Sequence, residues 1–441
     1  MNSEALLDYH HRHAWQPFTQ MKLAGDPLLV DHARGVYLYT KDGRAIIDAI
    51  GSWWVNIHGH ACPELVDAAC TQLGRLEHVM YAAFSHEPAI NLSRKLAELT
   101  GLELPRVFFS DNGSTAVEVA LKIAFQYFYN QGRRGKTEIL SLAGGYHGDT
   151  IGTMSVGGRL EFHKLYEPFL FPVTHIPCPR LSWEDLQNAD RHPELYGPAL
   201  QEVRAIFAAR HGSSAALILE PLLQGAAGMV MHAPYFLREL RGLCDEFEVL
   251  LIADEVFTGF GRTGSMFACD QAGIRPDLLC LSKALTGGFY PLAATLATER
   301  IYEAFHSNDR MHTFFHGHSM TGNPAGCAIA LRSIELLEKM TAQLQAVEQC
   351  HREGLDHVRA ELQSLVKEAR HLGTVAAVEL NIPPAYSGEF APRMIRASLN
   401  RGVSLRPLGN VVYVTPPYII KADELRKVYE ALVGAVRDTT S

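Results

Sequence analysis

The feature that most constrains this chain is a series of short, nearly all-apolar runs separated by helical stretches. The runs cover residues 106–110, 138–142, 216–220, 249–254, 278–282 and 292–296. Their centres do not alternate between apolar and polar residues, which is the pattern of strands buried on both faces. Such strands need helices above and below them, and strand–helix alternation supplies both layers. The predicted fold is therefore α/β, with a large, mostly parallel sheet. The large domain is expected over residues 60–335. Residues 1–59 and 336–441 are expected to fold together as a smaller α+β domain. Within that smaller domain, residues 35–44 have hairpin chemistry with Asp42-Gly43 at the turn. Helices are predicted over 325–340, 344–365 and 423–436, and a strand over 374–380.

Composition excludes several classes. Lys plus Arg total 40 against 48 for Asp plus Glu, a formal charge of −8, so nucleic acid is not an expected partner. No run reaches the ~18 apolar residues of a membrane helix. Residues 1–13 carry Glu4 and Asp8 and lack the apolar stretch of a secretory leader. The eight cysteines show no C-x-x-C spacing and read as reduced thiols of a cytoplasmic protein. The 21 histidines include His10-His11-His13 and His58-His60, but neither cluster has suitably spaced Cys or carboxylate partners. No metal is expected.

Two residues suggest chemistry. Asp254 ends one apolar run, and Lys283 follows another 29 residues later, just before Gly287-Gly288. Residues at the carboxyl ends of buried strands face the edge where open α/β sheets bind ligands. A lysine desolvated there loses its proton easily and becomes a nucleophile. Alone, Lys283 would read as a surface lysine and Asp254 as a helix cap. Together they suit pyridoxal phosphate, with the lysine holding the aldehyde and the carboxylate holding the ring nitrogen protonated. A phosphate site is expected at 110–118, where Gly113 allows close approach and Ser114 offers a hydroxyl at a helix start. Thr115 and Glu118 have capping-box spacing there. Tyr146, between glycines in Gly144-Gly145-Tyr146-His147-Gly148-Asp149, could lie flat on a cofactor ring.

Asp254-Glu255-Val256-Phe257-Thr258-Gly259-Phe260-Gly261-Arg262-Thr263-Gly264, followed by Leu281-Ser282-Lys283-Ala284-Leu285-Thr286-Gly287-Gly288, resembles the signature of class III pyridoxal-phosphate aminotransferases. The resemblance extends over nearly the whole chain. It implies the fold-type-I architecture and a homodimer with active sites at the subunit interface. The segments 15–21, 52–60, 145–150 and 315–319 are similar to the branch of the class that aminates 8-amino-7-oxononanoate in biotin biosynthesis. That likeness implies Lys283 as the Schiff-base lysine and Asp254 as partner of the pyridine nitrogen. It implies Gly113 and Ser114 at the phosphate, joined by His318 and Ser319 from the partner subunit. Gly317, Trp53, Tyr146 and Asp149 would contact substrate, and Arg406 would bind its carboxylate. Phe18 stands where many members carry Tyr, and His318 where they often carry Pro. Adenosylmethionine is the expected amino donor and lysine the alternative. Another class III ω-aminotransferase, acting on a diamine or ω-amino acid, is the rival reading. Intact Lys283, Asp254 and phosphate loop argue against a non-catalytic relative.

Overall fold

The computed structural model describes residues 2–158, 161–384 and 388–440. A seven-stranded sheet forms the centre, in the order Arg106–Ser110, Ala293–Ala297, Leu278–Leu281, Leu250–Asp254, Ser214–Leu219, Glu138–Leu142, Thr174–Ile176. Only Ala293–Ala297 runs against the others. Its connection explains the reversal. Between residues 281 and 293 the chain makes only a short 3-10 turn at Lys283–Thr286. That is too little for the helical crossover a parallel return needs. Thr174–Ile176, the sheet's far edge, is only three residues long and has no sequence signal.

The central strands are buried as their composition demands, whereas the edge strand Arg106–Ser110, expected to be buried on both faces, is buried only at Phe109 and Ser110 because it has a neighbour on one side only. Ser214–Leu219 and Leu250–Asp254 are buried at every position. One core packs on one face of the sheet, around Phe109, Leu217, Phe236 and Leu251. The other face is covered by the helix Gly113–Asn130 through Val117, Ala120 and Ala124.

A second core lies around Val36, Ile47, Leu355, Val378, Val412 and Leu432. It joins two small sheets. One pairs Val30–Arg34, Tyr37–Thr40, Ala45–Asp48 and Val403–Ser404; the other pairs Val366–Leu372, Val375–Leu380 and Val411–Val414. The helix Ala422–Thr440 buries Leu425, Val428, Tyr429, Leu432 and Val436, the three-and-four spacing of one apolar face.

The hairpin tip at Gly373 docks this part of the chain onto the loop after Asp254. Thr374 N donates to Arg262 O at 3.0 Å. Gly373 has φ +54°, and a Cβ there would lie 2.3 Å from the Thr263 carbonyl carbon. Backbone blocks it on that side, so a side chain cannot be absorbed by rotamer change. Gly373→Ala is expected to cost at least ~2 kcal/mol and to lower the thermal midpoint. An unchanged melting curve would show that this contact adjusts freely.

Candidate active site

Five parallel strands deliver their carboxyl ends to one edge of the sheet, and the chemistry collects there. Ser110 leads to Asn112, Gly113 and Ser114; Leu142 leads to Tyr146 and His147. Leu219 leads to Glu220, Asp254 ends its own strand, and Leu281 leads to Lys283. These residues line one cavity of about 460 Å³. Of the residues singled out from sequence, it brings together Gly113, Ser114, Tyr146, Asp254 and Lys283.

Lys283 Nζ sits 4.5 Å from the centre of the Trp54 ring and 5.3 Å from that of Phe257. Burial pulls its ammonium down to about 8, and nearby Arg262 adds to this, while Asp254 and Glu220 oppose it. Asp254 is buried and fixed at both oxygens. Oδ1 accepts Val256 N at 3.0 Å, and Oδ2 lies 2.8 Å from His147 Nδ1. The other ring nitrogen of buried His147 has no hydrogen-bond partner among the described residues.

Glu220 is a third buried charge that the sequence reading passed over. It accepts Tyr146 N and Gly225 N, each at 2.9 Å. Burial pushes its carboxyl up to about 7, against the pull of His147. A signal for it existed: it ends the apolar run 216–220 much as Asp254 ends its own.

The helix start differs from the expected capping. Asn112, not Thr115, is the N-cap. Its Oδ1 accepts Thr115 N at 3.1 Å, and Thr115 Oγ1 accepts Asn112 N at 3.1 Å. Glu118 is drawn away to the next helix, Ile151–Val156, where it accepts Gly152 N at 2.8 Å and Thr153 N at 3.3 Å. Ser114 packs so closely on Gly148 that a Cβ at Gly148 would clash with the Ser114 Cα and side chain.

Trp53, Phe18, Arg406 and Asp149 lie outside the cavity lining; Asp149 reaches it through Tyr146, and Trp53 adjoins Trp54 in the chain. Tyr146 Oη donates to Asp149 Oδ2 at 2.9 Å. The Arg406 guanidinium lies 5.1 Å from the centre of the Trp53 ring, and Phe18 meets that ring edge-on at 5.7 Å. Among the described residues Arg406 makes no salt bridge. Gly317, His318 and Ser319 do not line the cavity; His318 Nδ1 approaches Asp111 Oδ2 of the same chain at 3.8 Å.

Trp53 and Trp54 reach opposite neighbours through an unusual backbone. Gly51, Ser52, Trp53 and Trp54 have φ of 53°, 46°, 71° and 73°, a single left-handed turn. For the three residues with side chains this costs ~1–2 kcal/mol each. The turn points Trp54 at Lys283 and Trp53 at Arg406. Buried Arg262 also holds it, donating to Trp54 O at 3.1 Å.

A sheet whose carboxyl edge joins a half-buried lysine to a buried aspartate and a helix start is the arrangement of fold-type-I transaminases. The chain belongs to the aminotransferase class-III family, whose model matches residues 21–436. It is 48% identical over 96% of its length, and 98% of the relative's, to adenosylmethionine-8-amino-7-oxononanoate aminotransferase of Synechococcus elongatus. The crystal structure of the enzyme of that name from Methanocaldococcus jannaschii is 33% identical, with a TM-score of 0.92 and full coverage of both chains. A PLP-bound amine transaminase from an uncultivated Pseudomonas species is 30% identical, with a TM-score of 0.87, covering 97% of this chain and 99% of that one.

The cofactor of the class is pyridoxal phosphate. The cavity's donor set fits it: a half-buried amine of lowered basicity, a buried carboxylate, and a hydroxyl beside free N–H groups at a helix start.

Glu220 gives a pH test. Its folded value of about 7 lies above the ordinary 4.5, so the folded protein keeps a proton there that the unfolded chain releases. This makes Glu220 a growing cost to stability as pH rises from 4.5 to 7. Glu220→Gln should therefore gain about 2–3 kcal/mol relative to the unsubstituted protein between pH 5 and pH 8. Urea unfolding at both pH values measures this, and a pH-independent difference would show that Glu220 does not titrate in that window.

Proposed function

We propose that this chain transfers an amino group to 8-amino-7-oxononanoate, the compound in its relatives' names, to give 7,8-diaminononanoate in biotin biosynthesis. The observation that carries this reading is Arg406, a guanidinium without a salt bridge among the described residues, lying over Trp53 beside Phe18. An apolar surface ending in a cation suits a long methylene chain ending in a carboxylate.

Bound pyridoxal phosphate supplies an aldehyde that takes up the amino group and a ring that withdraws electrons from the neighbouring carbon. Lys283 is the residue that would hold it, and its lowered basicity leaves Nζ free to take a proton from the donor carbon and return it. Asp254, fixed by Val256 N and His147, would keep the pyridine nitrogen protonated. Gly113 and Ser114 would bind the phosphate, joined by His318 and Ser319 of a second subunit. Tyr146 would cover the ring; Tyr146, Asp149 and Gly317 would face the substrate. Phe18 offers no hydroxyl to the donor, which bears on the choice between adenosylmethionine, the donor proposed here, and lysine. The functional unit in this reading is a cytoplasmic homodimer. The exposed apolar side chains of Trp15, Met80, Phe84 and Phe315 support it as surfaces for a second copy.

The test is spectroscopic. Protein in the pyridoxal form is mixed with adenosylmethionine or lysine, and the visible absorbance should change to that of the pyridoxamine form. Adding 8-amino-7-oxononanoate should then restore the first spectrum. Restoration by pyruvate alone would assign the protein to a different substrate within the class. Arg406→Ala should keep the cofactor and lose roughly a hundredfold in kcat/KM for the keto acid, the loss of a charged, bidentate contact. Lys283→Ala should lose the cofactor's protein-linked visible absorbance; its survival would mean that another lysine holds the cofactor.

A further inference from the structure

The left-handed turn that carries Trp53 is held from below by one buried residue outside the cavity. Asp48 is 1% exposed, and its carboxylate gathers three donors. Ser52 Oγ donates to Oδ2 at 2.7 Å, and Ile50 N to Oδ1 at 3.3 Å. His60 Nε2 lies 3.1 Å from Oδ2. Burial disfavours this charge, yet the bonds from His60 and Ser52 outweigh it and hold the carboxyl below its ordinary value. His60 is itself fixed. Its Nδ1 lies 3.2 Å from Asn56 Nδ2, an acceptor arrangement that leaves Nε2–H to face Asp48. Its backbone is bridged to Gly35 in both directions, at 3.0 and 2.7 Å.

The strand that Asp48 ends also adjoins the other half of the Trp53–Arg406 pair. That strand, Ala45–Asp48, runs parallel to Val403–Ser404 with Asp48 opposite Ser404. Arg406 follows two residues later. The register, tied by Ile47 N donating to Gly402 O at 2.8 Å, places the segment bearing Arg406 beside Asp48, whose side chain restrains the turn bearing Trp53.

The geometry points to Asp48, with His60 behind it, as a positioning residue that sets recognition of the substrate's carboxylate end by holding the Gly51–Trp54 turn in its left-handed form. This rests on the reading of Arg406 and Trp53 given above. It adds that a residue touching neither cofactor nor substrate decides how well that end binds. Without the carboxylate, Ser52 and Trp53 lose their restraint in a backbone region that side chains disfavour, while Arg262 still holds Trp54. Glycine at position 52 would remove the share of that disfavour that Ser52 carries.

The experiment compares the holoenzyme with Asp48→Asn, Ser52→Gly and the double variant. Nonanoate, a plain nine-carbon carboxylate, is titrated by tryptophan emission. The two half-reactions are followed by the cofactor spectrum. Asp48→Asn should raise the nonanoate Kd and the KM for 8-amino-7-oxononanoate about tenfold, the scale of a lost charged hydrogen bond. Its kcat and its donor half-reaction should stay within about twofold. Ser52→Gly in the Asp48→Asn background should bring both constants back to within about threefold of the starting protein. An unchanged nonanoate Kd in Asp48→Asn overturns the proposal. So does a joint fall of donor and acceptor half-reactions with no rescue by glycine, which is the behaviour of a merely structural residue. If the unsubstituted protein binds nonanoate but does not turn over 8-amino-7-oxononanoate, the substrate reading fails while the Asp48 comparison still stands. No nonanoate binding by the unsubstituted protein overturns both.

Discussion

Three ionisable groups, Lys283, Asp254 and Glu220, share one poorly solvated sheet edge, and the surrounding structure is arranged around the cost of keeping them there. Among the described residues Lys283 and Glu220 make no salt bridge, and the cationic partner open to Asp254 is the His147 imidazole at 2.8 Å. Glu220 is met by backbone N–H groups, Asp254 by an N–H and an imidazole, and Lys283 by aromatic faces. Hydrogen bonds to fixed dipoles stabilise charge without neutralising it. A tight Lys283–Asp254 ion pair would have held the amine protonated and unreactive. Keeping the groups close enough to influence one another, but bonded to other partners, leaves the amine near neutrality and the carboxylates available. Parallel strands make this possible, because they bring five chain segments to the same edge without any of them crossing it.

The proposed substrate end follows different physics. Trp53 and Arg406 are supplied by the left-handed turn at Gly51–Trp54 and by the segment after Val403–Ser404. The turn is costly, and several bonds from different parts of the chain over-determine it. Asp48 holds it through Ser52, and Arg262 holds it through the Trp54 carbonyl. Strain at a site persists only under such multiple restraint. Here it lets two adjacent side chains serve two places, Trp54 facing the reactive lysine and Trp53 facing the proposed carboxylate site.

Much of this was legible in the sequence, for reasons that differ by residue. The apolar runs specify buried strands because no other element buries both faces over five residues. Asp254 and Lys283 stand out because a charge at the end of such a run needs a purpose. Glu220 carries the same signal, but a carboxylate before Pro221 also reads as an ordinary strand end, and only packing shows that it is sealed from water. The Thr115–Glu118 spacing misled because capping is a competition: Asn112 is the stronger cap, and Glu118 finds free N–H groups at Ile151–Val156. The left-handed turn was invisible. Ser52-Trp53-Trp54 contains no residue that favours positive φ, so the conformation is imposed by contacts with Asp48, four residues before Ser52, and with Arg262, far along the chain.

This separation of the two ends bears on how one fold serves many transaminases. The sheet edge cannot vary without disturbing a set of mutually dependent buried charges. The proposed substrate end rests on the Ser52–Trp53 half of a turn and on a strand register, which can be altered while Arg262 keeps Trp54 against Lys283. Selectivity between polar substrates depends on whether buried groups find partners, so a change of one hydroxyl or one guanidinium there has large effects. Phe18 sits against the Trp53 ring, on the variable side of this division. In the proposed reading, a change of amino donor can therefore arise at Phe18 while Lys283 and Asp254 stay as they are, and a change of keto acid can arise at Trp53 and Arg406 by the same route.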